Sequence, residues 1–521
     1  MSHGSRRFSR LSTRICSLGA LCVFAALTGC VDKSDDAPPN YAVVALESGP
    51  LTLDPRFSTD ATGSQIGDLL FDGLTRVDDQ GRYRPDLASE WTNPDPLTYE
   101  FHLRDGFRFC DGAPLTSADI KATFDSILDP ATNSPKRTAL AAVDRIDAPT
   151  PLTIRFHLRE PFAPFLDVTT IGVLPGRMVR PGSSPIREPV GSGPFCVVEF
   201  NADDRVVLKR AAHAHTRPPR LAGVVFRIIP DSLVRLLEFK RGQIDLIQNA
   251  VEPDAVDWLR RLPHTEVLTR PGTNIQYLGL NLHDPRLADV RVRQAIAYAI
   301  DVRALIRGVL RGLATPATGL LAPANWAYDA AGPSYPHDPK RAKELLDEAG
   351  YYDPDGDGPL PRFRLSYKTT TIDLRRRVAE VIQQQLARVG IALEIRTYEW
   401  GTFYGDIRRG NFHLYSLAWV GVADPDIYFQ TCHSSQVPPV GNNRGFFHDD
   451  SIDALTEHAR HALDIGERQR LYAEVQRRVA ELLPVIPLWW PTNVAVIHQR
   501  LHGFELRANG SLESLRDAWI E

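Results

Sequence analysis

The sequence predicts an α/β protein, and three stretches carry that prediction. Residues 363–368 and 391–396 alternate apolar and polar side chains as half-buried strands do. Between them, Leu374, Val378, Val381, Ile382, Leu386 and Val389 fall on one helical stripe, and Gly390 is placed to end that helix. A short helix over 402–408 and a strand over 412–419 extend the series. This order of strands and helices implies a largely parallel sheet with right-handed crossovers. Such sheets take ligands beyond the carboxyl ends of their strands, and Trp419 stands at one of those ends.

The rest of the chain supplies further elements. Residues 98–104 and 152–159 alternate strictly and read as strands, with helix-like segments between them, so the region from Tyr41 to about Glu188 reads as α+β. Strands follow over 195–198, 205–209 and 224–229. Asp231 then caps a helix with Leu233, Leu236 and Leu237 on one face, Gly242 ends it, and 244–247 returns as a strand. Asp289 caps a helix with Val292, Ile296 and Ala299 toward the core and Arg291 and Arg293 toward water. Asp338 and Pro339 open another helix as N-cap and first residue, and Gly350 closes it.

Ahead of these lies a leader. Arg6, Arg7, Arg10 and Arg14 precede a short apolar run that ends in Leu27-Thr28-Gly29-Cys30. That is a secretory signal pattern, and its ending resembles a bacterial lipobox. The resemblance implies cleavage before Cys30 and a lipid on its thiol. The run is too short for a transmembrane helix, which needs about 20 residues. The expected layout is a signal peptide over 1–29 and a polar, Pro-containing tether over 30–40.

The remaining body is long enough for about two or three domains. A net charge of −4 argues against a nucleic-acid partner. Of the six cysteines, Cys16 and Cys22 leave with the signal and Cys30 is lipidated. Cys110, Cys196 and Cys432 remain and allow one disulfide, whose pair the sequence does not choose.

Several ordered segments together resemble one family. They are Leu53-Asp54-Pro55, Leu70-Phe71-Asp72-Gly73-Leu74, residues 87–91 and 99–104, the run from Phe109 to Thr116, Gly191-Ser192-Gly193-Pro194-Phe195, Asn281, and the run from Asp289 to Asp301 with Gly312. The chain is similar to the family 5 extracellular solute-binding proteins, the group of dipeptide-, oligopeptide-, glutathione- and nickel-binding components of ABC importers. The family usually has His where Cys110 stands. The resemblance implies a two-lobed periplasmic-binding-protein-like fold, type II, with the extra subdomain of the peptide-binding class. Lobe I is expected over 41–268 with 488–521, including an inserted subdomain over 71–186, and lobe II over 269–487.

The implied function is capture of a small peptide or peptide-like solute between the lobes by a lipid-anchored protein of the periplasm or cell envelope, for delivery to a permease. The alternatives are a non-peptide solute, such as a nickel chelate or an oligosaccharide, and a lipid-anchored hydrolase. No nucleophile elbow, His-Glu-x-x-His or phosphate loop is present, so no catalytic residue, cofactor or metal is assigned. The expected partners are the solute, an ABC permease complex and a membrane reached through the anchor alone; a monomer is expected.

In peptide-binding members, an Asp three residues after a Trp anchors the ligand's ammonium group. The Trp matches Trp419, but three residues on stands Val422. Asp424 reaches the ligand if the loop is one residue shorter than in dipeptide binders; otherwise Asp424 and Asp426 serve a turn at Pro425. Val420 and Gly421 complete the candidate loop. Chain position adds Asn274, Tyr277, Leu53, His433 and Arg444, the last suited to pairing a ligand carboxylate. Residues 353–358 resemble an EF-hand start but carry Arg364 where the bidentate Glu belongs, so they read as a surface turn. His458 and His461 on one helix face, and His213 and His215 in a loop, read as solvated groups.

Overall fold

The computed structural model describes residues 38–521 except 181, 213–217 and 357. The leader, Cys30, most of the tether, His213 and His215 lie outside the described residues. Among the described residues, no helix is long and apolar enough to cross a membrane.

Two sheets share one strand. The long strand Val485–His498 pairs through its second half with Leu246–Gln248 and Thr265–Pro271, and through its first half with Ile275–Leu280 and Ala314–Pro316. The first sheet continues through Tyr41–Leu46, parallel to Gly223–Ile228, and then through Arg205–Arg210 to Phe195–Asn201. The second continues from Ile275–Leu280 to Leu414–Trp419, Phe363–Thr370 and Ile391–Tyr398. The last three strands run parallel, as the strand–helix order requires, while Ile275–Leu280 and the shared strand run antiparallel to their neighbours. Two chain segments therefore cross between the sheets: the shared strand, and the join of Thr265–Pro271 to Ile275–Leu280.

Each body has its own core. Val44, Leu69, Phe226 and Leu515 pack on the first sheet, and Ile296, Leu346, Tyr367 and Ile382 on the second. A four-stranded antiparallel sheet, ordered Ala88–Asp95, Thr98–Leu103, Thr153–Leu158, Val143–Thr150, packs against helix Ser117–Leu128. Phe156 sits at its centre, edge-on to Phe101 and Phe124 at 5.9 and 5.2 Å.

Helix Asp373–Ala387 buries Val378, Ile382 and Leu386, and Gly390 follows at φ 84°, a left-handed conformation that glycine adopts at little cost. The helices Ser232–Lys240, Val290–Ala299 and Pro339–Glu348 start at Asp231, Asp289 and Asp338, whose side chains accept backbone N–H bonds as N-caps.

Two helix faces differ from expectation. Arg293 is buried, not solvated: its guanidinium donates to the carbonyls of Leu287, Ala288 and Leu482, and so satisfies the end of helix Ile465–Leu482. Helix Ser232–Lys240 turns Arg235 and Phe239 inward and leaves Leu233 and Leu237 exposed, because Arg235 donates to the carbonyls of Pro230 and Ala250.

The disulfide joins Cys110 to Cys196, and Cys432 is free and buried. The bond ties the loop before helix Ser117–Leu128 to the first sheet across 86 residues of chain. Replacing both cysteines by serine lowers the unfolding free energy by about 2–4 kcal/mol. A denaturant titration reads this as a lower midpoint; an unchanged midpoint contradicts it.

Candidate functional site

The strand Leu414–Trp419 delivers its carboxyl end to the gap between the two bodies. Opposite Trp419 in the antiparallel ladder stands Ile275, which places Asn274 beside the loop after Trp419. The Asn274 Oδ1 accepts the Gly421 N–H at 3.0 Å, and Gly421 takes φ 69°. These two features turn the loop back under the strand end.

Behind the loop lies an aromatic layer. The Trp419 ring stacks on Tyr277, 6.1 Å between centroids and 7° from parallel. The Arg444 guanidinium lies 4.6 Å from the Trp419 ring centre. Arg444 is buried and donates to Tyr277 Oη at 3.0 Å, Tyr404 Oη at 3.2 Å and Asn442 Oδ1 at 3.1 Å. No carboxylate pairs with it among the described residues.

A cavity of about 470 Å³ opens in front of this loop. One wall carries Thr273, Asn325 and residues 420–423; the other carries Leu53, helix Ala61–Leu70, residues 71–81 and the C-terminal segment at Ser511 and Arg516. The walls meet at direct contacts. Trp326 N–H donates to the Gln80 carbonyl at 3.2 Å, and Ala163 N–H to the Arg460 carbonyl at 2.7 Å. At Gly81 a side chain would collide with the Ala423 carbonyl, 2.7 Å from an added Cβ.

Of the residues expected at the site, Leu53, Val420, Gly421 and Val422 line the cavity. Asn274 holds the loop, and Tyr277, Trp419 and Arg444 form the layer behind it. Val422, where an anchoring Asp was sought, packs in an apolar cluster with Ile275, Leu320 and Ile427. Asp424 does not offer its carboxylate to the cavity. Arg468 grips it through both terminal nitrogens at 2.9 and 2.5 Å, and its Oδ1 accepts Asp426 N–H at 2.8 Å in the turn at Pro425. The turn reading replaces the ammonium-anchor reading, because a carboxylate already neutralised by a buried guanidinium has little left for a second cation. His433 also lies elsewhere: Glu457 stands 3.1 Å from its Nε2, and its Nδ1 accepts Ser435 N–H.

The opposite wall is acidic, which the sequence did not reveal. The cavity lining holds eight carboxylate residues against three basic ones. Asp78 and Asp79 are matched by Arg84 and Arg270, and Glu513 by Arg76 and Arg516. Among the described residues, Asp68, Asp86 and Asp167 form no ion pair. Burial pushes Asp68 up to about 7, and its one strong relief is the Ser511 hydroxyl at 2.8 Å. Burial, and then the charge of Asp86, hold Asp72 well above the carboxylate range, and burial raises Asp86 too. Asp167, beside the Tyr83 hydroxyl at 3.2 Å, is pushed up to about 6 by burial and by Asp424. The available signal was the spacing of Asp68 and Asp72 around the apolar Leu69-Leu70-Phe71, which read as scaffold alone.

The Asp353 carboxylate accepts the N–H groups of Asp355 and Gly356. His458 pairs with Glu467 and His461 with Glu160. Among the described residues, no group of three or more His, Cys, Asp or Glu is arranged to hold a metal ion.

A mixed α/β body in two lobes, with a cavity at the carboxyl end of a parallel strand, defines the class: the solute-binding proteins. The glutathione-binding protein GsiB of Escherichia coli strain K12 is 27% identical over 502 residues, covering 94% of each chain. The periplasmic binding protein DppA of Helicobacter pylori, solved in complex with the peptide STSA, is 27% identical with TM-score 0.79 over 92% of this chain and 98% of that one. NikZ of Campylobacter jejuni, solved with Ni(L-His), shares the fold at TM-score 0.81 and 24% identity over 93% and 100%. The model of the bacterial extracellular solute-binding proteins, family 5, matches residues 82–438, and the chain belongs to that family. It is a solute-binding protein and not an enzyme, so the hydrolase alternative falls.

Proposed function

We propose that this protein is the lipid-anchored solute-binding component of an ABC importer. It captures a small peptide or peptide-like solute between two lobes and presents it to a permease. The observation that carries the reading is the cavity between the loop after Trp419 and the wall of helix Ala61–Leu70, with backbone contacts already joining its two sides. Its size suits a ligand of a few residues. The names of GsiB and DppA point the same way, toward short peptides. In this reading lobe I spans 41–268 and 488–521, with 71–186 as its insert, and lobe II spans 269–487. Lipid attachment at Cys30 rests on the leader sequence, and delivery to a permease on the family.

Thermal unfolding of the purified protein against dipeptides, longer peptides, glutathione and nickel–histidine tests the reading. A bound solute raises the midpoint in a saturable way; a flat response to every member of the panel refutes it. Trp419→Ala weakens binding of the best responder by about 2 kcal/mol, through loss of the ring that backs the loop. Titration calorimetry measures this, and unchanged affinity removes Trp419 from the site.

A further inference from the structure

The turn that follows the cavity loop is gripped from two sides by the 71–186 insert. On one side, the Tyr83 hydroxyl reaches Asp424 Oδ2 at 3.4 Å, and Gly81 lies against the Ala423 carbonyl. On the other side, Arg460, near the end of helix Asp450–His461, lies between two rings. Its guanidinium carbon stands 3.7 Å from the centre of the Phe429 ring, on helix Ile427–Cys432, and 4.8 Å from the centre of the Phe162 ring, on the insert. Its Nε pairs with Asp426 at 3.1 Å, and its carbonyl accepts the Ala163 N–H at 2.7 Å. Phe162 and Phe429 are both buried. Tyr83, Phe162, Ala163 and Arg460 do not line the cavity. These contacts therefore join the two walls without touching a guest.

The insert is itself bolted to the first sheet. The Cys110–Cys196 disulfide and the Arg56 bonds to Ser126 and Ser183 tie it there. A pull on Phe162 is therefore passed to the first body instead of being lost in the insert. Asp254 also meets Arg311 and Arg377, but all three side chains are more than a third exposed, where solvent screens the pairing. We infer that the 71–186 insert is a clasp: Phe162 on Arg460, and Tyr83 on Asp424, hold the two lobes shut with or without a solute between them. The inference rests on the lobe assignment proposed above and gives the insert its part in capture. Arg460 and Tyr83 act as positioning residues. The solute enters through a minor open form, and the clasp adds to the time it stays.

Pulsed dipolar spectroscopy of the full-length protein, stripped of solute, tests this. Spin labels go on Thr92→Cys, in the insert's edge strand Ala88–Asp95, and on Glu474→Cys, in helix Ile465–Leu482; both positions are exposed, and the free Cys432 is buried. The labelled protein is expected to show one short distance. Arg460→Lys with Tyr83→Phe keeps a charge beside Asp426 but removes the flat guanidinium and the hydroxyl. In this double variant a longer distance is expected, with the ratio of open to closed forms raised about tenfold. Tyr83→Phe alone removes one oxygen and is expected to raise the ratio about threefold, which decides the question where the double variant does not fold. A parent protein found mainly at the long distance, or variants with the parent's distance distribution, overturns the clasp. Either result leaves solute capture standing, because the thermal panel judges that reading separately.

Discussion

Arg468→Met lowers the unfolding free energy by about 3–5 kcal/mol, the cost of leaving one buried charge without its partner. The Arg468 and Asp424 side chains are each only 7% exposed, and their contact is two-pronged. The carboxylate left behind stands near Asp426 and Asp167 and the Tyr83 hydroxyl, none of which brings a compensating charge. Arg468 also reaches the Ala459 carbonyl at 3.3 Å and lies over the Tyr472 and Trp326 rings, so methionine retains part of the packing but none of the polar contact. Adding Asp424→Asn recovers much of the loss, because the residual amide is neutral. Urea titration of the two variants checks this. A single-variant loss below about 1 kcal/mol places the pair among solvent-screened bridges and sinks the argument.

The second large effect is expected at Arg56, whose side chain is wholly buried. Its guanidinium grips both Asp54 oxygens at 2.7 and 3.1 Å and donates to the hydroxyls of Ser126 and Ser183 at 2.9 and 3.0 Å. The backbone carbonyl of Arg56 accepts the Ser134 hydroxyl, and Asp54 accepts the Ile186 N–H. One side chain thus sews the turn before helix Ala61–Leu70 to helix Ser117–Leu128 and to the segment that returns to the first sheet. Arg56→Met costs about 3–5 kcal/mol by the same logic of an orphaned carboxylate. Hydrogen exchange adds a local signature: amides of Ser117–Leu128 lose protection before those of Asp373–Ala387, which pack on the second sheet. Equal loss in both helices, or a cost near zero, contradicts the assignment.

What the sequence revealed follows from how local its causes are. The stripe of Asp373–Ala387, its closing glycine and the alternation on either side are properties of adjacent residues, and the parallel strand order followed from them. Trp419 at a strand end was readable for the same reason. Arg293 was misread because the helix end that it satisfies lies at Leu482, far along the chain. Asp424 was left open between ligand and turn because the partner that decides it, Arg468, sits 44 residues away on another helix. The acidic wall is assembled from separate stretches around Asp68, Asp86 and Asp167, each unremarkable in its own neighbourhood. Charge compensation and burial are set by contacts between distant segments, and no window of consecutive residues contains them.

The strand common to both sheets also governs the order of events during synthesis. Val485–His498 is made long after Thr265–Pro271 and Ile275–Leu280, yet both need it as a neighbour. A growing chain short of that segment exposes two raw sheet edges, and neither half can seal early. Closure of both sheets is therefore tied to the arrival of one strand, so the two lobes finish folding together rather than one after the other.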